Sequence, residues 1–224
     1  VWQAATALSR AAGIKARASI RLRKNLPVAA GLGGGSADAA AALLALRALW
    51  HLPMDDRALH ELAAGLGADV PVCLSTRPSL ISGIGHDVIP APPLPPFALV
   101  LVNPMQALST AAVFKQVKQP IKSSQPWRET PDKGQSLAQC LDLRRNDLEP
   151  AARHLAPVVG EVITTLENLP GCCLARMSGS GATCFGVFDD LARAEAAADI
   201  LTGARTDWWV RASAVVGATE GFER

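Results

Sequence analysis

Pro27-Val28-Ala29-Ala30-Gly31-Leu32-Gly33-Gly34-Gly35-Ser36-Ala37-Asp38-Ala39-Ala40 is the stretch on which the reading of this chain turns. Four of the five residues 31–35 are glycine. Without Cβ atoms, backbone N–H groups can converge on one point, and positive φ is open wherever the chain curls. A helix expected from Ser36 adds its free N-terminal N–H groups and the positive end of its dipole, so an anion is the natural occupant and phosphate the obvious one. The plainer alternative is a glycine turn in which Ser36 only caps the helix. Two familiar phosphate loops fail against these letters. A Walker A loop requires Lys and then Ser or Thr after its last glycine, where this chain has Ser36-Ala37. A dinucleotide fingerprint built on Gly31 and Gly33 requires Gly or Ala at position 36 and a strand after the helix. Position 36 is Ser, and the next pattern is a second helix.

Outward from the loop, Ala39, Leu43, Leu46 and Trp50 recur at helical spacing, which predicts a helix over 36–51. A second helix is expected over 56–66, with Gly67 as its stop. On the other side, Ser19, Ile20, Arg21 and Leu22 alternate as in a half-buried strand over 18–22. The chain opens with Trp2, Ala5, Leu8 and Ala12 on one helical stripe, closed by Gly13. It starts at Val1 rather than Met, within that helix pattern, so a part upstream is expected. Residues 69–74 form a short apolar run that places Asp69 at a helix-to-strand junction, and 81–88, with Gly83 and Gly85, suit a hairpin.

Residues 91–96 hold four prolines, a linker composition, and the domain boundary is set there, giving domains 1–92 and 93–224. The second domain is expected to run as strand 97–102, a long mobile loop over 118–136, helices 146–155 and 158–169, strand 172–176, loop 177–181, strand 182–188, helix 191–201 and strand 208–215. Strands and helices mix without strict alternation, which makes it α+β. No internal repeat is visible.

Composition sets the outer limits. A chain of 224 residues, 49% hydrophobic and 19% charged, can bury a sizeable core. Its net charge is +2, with Lys and Arg dispersed, so nucleic acid is not an expected partner. No apolar run approaches a membrane span and no signal peptide is visible, which leads to a cytoplasmic expectation. Five cysteines without a C-x-x-C pair suggest reduced thiols and no metal site. His51, His60, His86 and His154 show no ligating or catalytic spacing.

Pro27, Gly31, Leu32 and Gly33 stand in register with a phosphate loop of the pattern Pro-x-x-x-Gly-Leu-Gly-small-small-Ala. In this the chain resembles the superfamily of galactokinase, homoserine kinase, mevalonate kinase and phosphomevalonate kinase, the GHMP kinases. The extended form from Gly33 to Ala40 is similar to the branch that phosphorylates the cytidine diphosphate derivative of methylerythritol in the non-mevalonate isoprenoid pathway. Leu66-Gly67-Ala68-Asp69-Val70-Pro71 resembles that branch's catalytic Asp segment, Asn146-Asp147-Leu148-Glu149-Pro150 its Asn-Asp-x-Glu helix start, and Met177-Ser178-Gly179-Ser180-Gly181-Ala182-Thr183 the superfamily's third motif.

The resemblance implies an α+β, two-domain GHMP-kinase-like fold: part of a ribosomal-S5-like first domain, then a ferredoxin-like second one. It implies ATP with Mg²⁺ as cofactors and a small-molecule alcohol, the diphosphocytidyl methylerythritol, as substrate. Nucleotide would lie on Lys24, Pro27, Val28, Ala29, Ala30, Gly31, Leu32, Gly33, Gly34, Gly35, Ser36 and Ala37. Asp69 would be catalytic, and Thr110, Gly179, Ser180 and Gly181 would face the substrate. The superfamily's first motif, Pro-Ala-Lys-Ile-Asn-Leu, has no counterpart here, and Lys15 lacks its context. Two alternatives therefore stay open: another GHMP small-molecule kinase, or a nucleotide-binding module without turnover.

Overall fold

The computed structural model describes residues 1–15, 17–75, 77–82, 87–118, 127 and 129–215. The described chain divides into two compact units, Val1–Asn25 with Gly33–Ala91, and Leu26–Leu32 with Pro92–Arg224. The backbone thus passes into the second unit for seven residues at the start of the glycine loop and returns at Gly33.

The first unit is mainly helical: α1 (Trp2–Ala11), α2 (Gly34–Leu49), α3 (Asp56–Ala64) and α4 (Val70–Ser75), followed by the strands β1 (Ser79–Ser82) and β2 (Asp87–Pro90). Alanine, the best helix former, fills α2 and leaves a low-relief face on which other helices sit closely. Ala39, Ala40, Leu43 and Leu46 of α2 pack with Ala4, Ala5 and Leu8 of α1 and with Val70 and Leu74 of α4. Asp55 caps α3 by accepting from Ala58 N at 2.8 Å, and Arg47 at the end of α2 reaches Asp56 at 2.6 Å.

Several expectations change here. Helix α2 begins at Gly34, two residues before Ser36, and α3 stops at Gly65 rather than Gly67. The run after Asp69 is helix α4, because Pro71 falls in a first turn, where a missing N–H costs nothing. Asp69 therefore lies at a helix start, not at the entry to a strand. The segment 18–22 forms no strand: Ile20 and Leu22 are about half exposed, and among the described residues no strand takes up its backbone groups. Trp2 faces outward at 81% exposure, while Ala4, Ala5, Leu8 and Ser9 form the buried stripe of α1. Strands β1 and β2 pair antiparallel with Leu80 opposite Ile89, whereas Gly83 and Gly85 lie outside the described residues.

The second unit holds β3 (Ala98–Asn103), α5 (Thr110–Gln116), α6 (Gly134–Asp142), α7 (Glu149–Leu155), α8 (Val158–Glu167), β4 (Leu174–Met177), β5 (Cys184–Phe188), α9 (Leu191–Ala204) and β6 (Trp209–Ala214). Its sheet runs β4-β5-β3-β6, with every neighbouring pair antiparallel. Numbered within the unit, that order is 2-3-1-4: two interleaved β-α-β crossovers, the ferredoxin-like arrangement. Ala98, Val100 and Val102 alternate onto the face that meets Val159, Val162 and Leu166 of α8 and Ala194, Ala197 and Leu201 of α9. Within the expected loop 118–136, residues 119–126 and 128 lie outside the described set, and its end is already helical, since α6 starts at Gly134. Helix α5 had no periodic signal of its own. Its seven residues are two turns, too short for a stripe to repeat.

Candidate active site

In the first unit the glycine loop ends at Gly33, which takes φ +64° as the N-cap of α2. The first backbone bond inside the helix runs from Ala37 N to Gly33 O at 2.9 Å, so the N–H groups of Gly34, Gly35 and Ser36 have no intrahelical acceptor. A Cβ at Gly33 or Gly35 would meet nothing within 4 Å, which leaves the approach to these donors open. Lys24 is held by Asp38, Nζ to Oδ2 at 2.5 Å, so a cation is anchored on the first turns of the same helix. Asp69 lies at the start of α4, where its carbonyl accepts from Cys73 N at 3.3 Å; its carboxylate is exposed. Burial raises the Cys73 thiol above its ordinary value, and the negative charge of Asp69 adds to the rise.

The leading half of the loop is fastened in the second unit. Gly31, at φ +73°, lies so close to the third motif that a Cβ would stand 2.6 Å from both Ser178 O and Gly181 O. Ser178 Oγ donates to Gly31 O at 2.8 Å, and Thr183 N donates to Ala30 O at 3.2 Å. Ala29, without the freedom of glycine, is held at φ +55°, a strained conformation that marks a constrained turn. Val28 is 80% exposed beside it.

The expected substrate-side residues meet in the same unit. Thr110 and Ser180 share a hydrogen bond at 2.8 Å, Oγ1 to Oγ. Thr110 does not cap α5: Ser109 does, accepting from Ala112 N at 3.4 Å, and the Thr110 hydroxyl is thereby left to Ser180. Gly179 and Gly181 take φ +53° and +87°, which presents Ser180 on a tight excursion of the chain. Residues that sequence reasoning assigned no role hold this loop. Asn103 Nδ2 donates to Thr183 Oγ1 at 2.8 Å in a fully buried pair, and Asn146 Nδ2 donates to Met177 O and Gly179 O. Asn146 stood in a recognised motif, but nothing local disclosed a partner 31 or 33 positions away.

A family model for the GHMP kinases N-terminal domain matches residues 1–77, and one for the GHMP kinases C-terminal region matches 132–205. The 4-diphosphocytidyl-2-C-methyl-D-erythritol kinase of Rhodospirillum rubrum is 47% identical over 219 residues, covering 98% of this chain and 72% of its own. The chain belongs to the 4-diphosphocytidyl-2-C-methyl-D-erythritol kinases, a branch of the GHMP kinases. Another member, from Paramagnetospirillum magneticum, is 49% identical over 210 residues, 94% of this chain and 74% of that one. A crystal structure of 4-(cytidine 5'-diphospho)-2C-methyl-D-erythritol kinase superposes with a TM-score of 0.74 at 35% identity, covering 95% of this chain and 75% of that one. Homoserine kinase from Cytophaga hutchinsonii shares the GHMP fold, with a TM-score of 0.64 at 19% identity over 86% of this chain and 68% of its own. This GHMP kinase is an ATP-dependent small-molecule kinase, and among its described residues no helix is long and apolar enough to cross a membrane.

Proposed function

We propose that the chain transfers the γ-phosphoryl group of ATP to the 2-hydroxyl of 4-diphosphocytidyl-2-C-methyl-D-erythritol, a step of the non-mevalonate route to isoprenoid precursors. The observation that carries this reading is identity of 47–49% with kinases of that name over nearly the whole chain, through both units. The rival homoserine kinase shares only the fold, at 19% identity.

Phosphoryl transfer asks mainly for positioning and for neutralisation of charge. The unspent N–H groups of Gly34, Gly35 and Ser36 receive phosphate oxygens, assisted by the helix dipole. Pro27, Val28, Ala29, Ala30, Gly31 and Leu32 line the approach of the nucleotide, and Lys24, steadied by Asp38, contributes positive charge beside it. Asp69 takes or orients the proton of the attacking hydroxyl, while Thr110, Gly179, Ser180 and Gly181 hold the alcohol.

Mg²⁺ accompanies ATP and screens its phosphate charge. Such an ion needs only one or two protein oxygens beside the phosphates, and the Ser36 hydroxyl, which makes no hydrogen bond among the described residues, suits that part. The activity belongs in the cytoplasm, where ATP is available and the five free cysteines stay reduced.

The test is substrate-dependent ADP release, with ATP affinity measured in parallel by calorimetry. Turnover with the diphosphocytidyl alcohol and not with homoserine or mevalonate is expected. Nucleotide binding without turnover would favour a binding module instead, and turnover of a different alcohol would reassign the substrate.

A further inference from the structure

Asn146 gives both of its donors to the third-motif loop and anchors its own oxygen at the start of α7. Its Nδ2 donates to Met177 O at 3.0 Å and to Gly179 O at 2.8 Å, while its Oδ1 accepts from Leu148 N at 3.0 Å. Only one orientation of the amide satisfies two carbonyls and one N–H at once, so the side chain is locked. The two carbonyls bracket Ser178, whose hydroxyl donates to Gly31 O, and they precede Ser180, whose hydroxyl meets Thr110. The turn is further closed by Gly181 N to Ser178 O and by Ser178 N to Thr183 O, both at 2.9 Å. Two left-handed glycines make this segment pliable by itself, since glycine loses more freedom on ordering than any other residue. An outside clamp is what selects one conformation.

We propose that Asn146 is a positioning residue for phosphoryl transfer: by holding the carbonyls of Met177 and Gly179 it sets the Ser180 hydroxyl against Thr110, where the acceptor alcohol is bound. The inference rests on the functional reading above and adds to it the group that fixes the acceptor side. Asn146 acts through Ser180, with the nucleotide N–H groups of residues 34–36 carried by the other unit. The same turn also fastens Ala30 and Gly31 through Thr183 N and Ser178 Oγ, so loss of Asn146 should fall first on the acceptor and to a smaller degree on ATP.

Two variants test this in the full chain. Asn146→Asp replaces both donors by a carboxylate oxygen facing two carbonyls, and Asn146→Ala removes them. Each should lower kcat/KM for the acceptor by about 10-fold or more, a larger change than that in the ATP dissociation constant. Amide exchange at 178–183 should quicken about 10-fold in both variants, with β3 unchanged. Kinetic constants within 2-fold of the parent per folded molecule, accompanied only by a lower melting temperature, would overturn the proposal, as would exchange raised uniformly across the sheet. If the parent itself fails to turn over this alcohol, the substrate assignment falls separately. Exchange confined to 178–183 then supports the clamp, and exchange unchanged or spread through the sheet overturns it.

Discussion

Gly31 and Gly33 both adopt left-handed backbone, yet alanine at the two positions should have opposite principal effects. At either one, a Cβ in that conformation costs about 1–2 kcal/mol. At Gly33 the cost ends there, because nothing lies within 4 Å of the added atom. At Gly31 the new Cβ would stand 2.6 Å from each of two backbone carbonyl oxygens, Ser178 O and Gly181 O. Reaching ordinary contact requires a shift of roughly 0.8 Å in a loop tied down by Ser178 and Thr183, and forced overpacking of this kind costs about 1–3 kcal/mol. Gly31→Ala should therefore destabilise by about 2–5 kcal/mol, a large share of the ~5–15 kcal/mol available to a folded domain. Gly33→Ala should destabilise by no more than about 1–2 kcal/mol but place a methyl group at the mouth of the α2 donors, weakening ATP binding about tenfold. Urea melts followed by far-ultraviolet circular dichroism give the first quantity. At an m-value of about 2 kcal/mol/M the midpoint for Gly31→Ala should fall by roughly 1–2.5 M. Calorimetric titration with ATP gives the second. Equal destabilisation by the two variants would refute the close packing of the loop on the third motif, and undiminished ATP affinity in Gly33→Ala would refute the role given to the helix start.

Asp69→Asn keeps size and shape, so kcat should drop about 10²-fold or more while ATP affinity stays near the parent value; turnover close to the parent rate would make Asp69 a helix-start residue only. Gly35 lies in the first turns of α2 with open space around it, so Gly35→Ala should raise the urea midpoint, by up to about 1 kcal/mol of stability, and weaken ATP binding; a loss of stability would contradict the helical start at Gly34. Burial pushes the Cys184 thiol up to about 12 and the Cys172 thiol to about 11. The folded protein thus holds these protons more tightly than the unfolded chain does, so their contribution is complete below a pH of about 8.5 and is lost as pH climbs towards the folded values, at up to about 1.4 kcal/mol per pH unit for the fully buried Cys184. Urea midpoints should decline between pH 8.5 and 10.5, less steeply in Cys184→Ala; equal slopes in parent and variant would remove Cys184 as a cause.

The glycine loop, the alanine-rich helix behind it and the strands of the second unit were legible in the sequence, because each is written in a local pattern, whereas the segments around Asp69 and residues 177–183 stood out only through a family resemblance. Glycine opens positive φ, alanine favours helix, and alternation of small apolar residues marks a two-sided strand, wherever these residues occur. What depends on a distant partner could not be read that way. Residues 18–22 carry a strand's alternation but no pairing strand, and Pro71 stands in the first turn of a helix where its letters suggested a strand. Only the tertiary structure brings Thr110 to Ser180 across 70 positions, assigns the cap of α5 to Ser109, and ties Gly31 to Ser178 across 147. Asn146 makes the difference clearest. Its type and its place before a helix are local facts, but its clamp on Met177 and Gly179 exists because the sheet order β4-β5-β3-β6 carries the third motif to it, and sheet order is settled by which faces can be buried together.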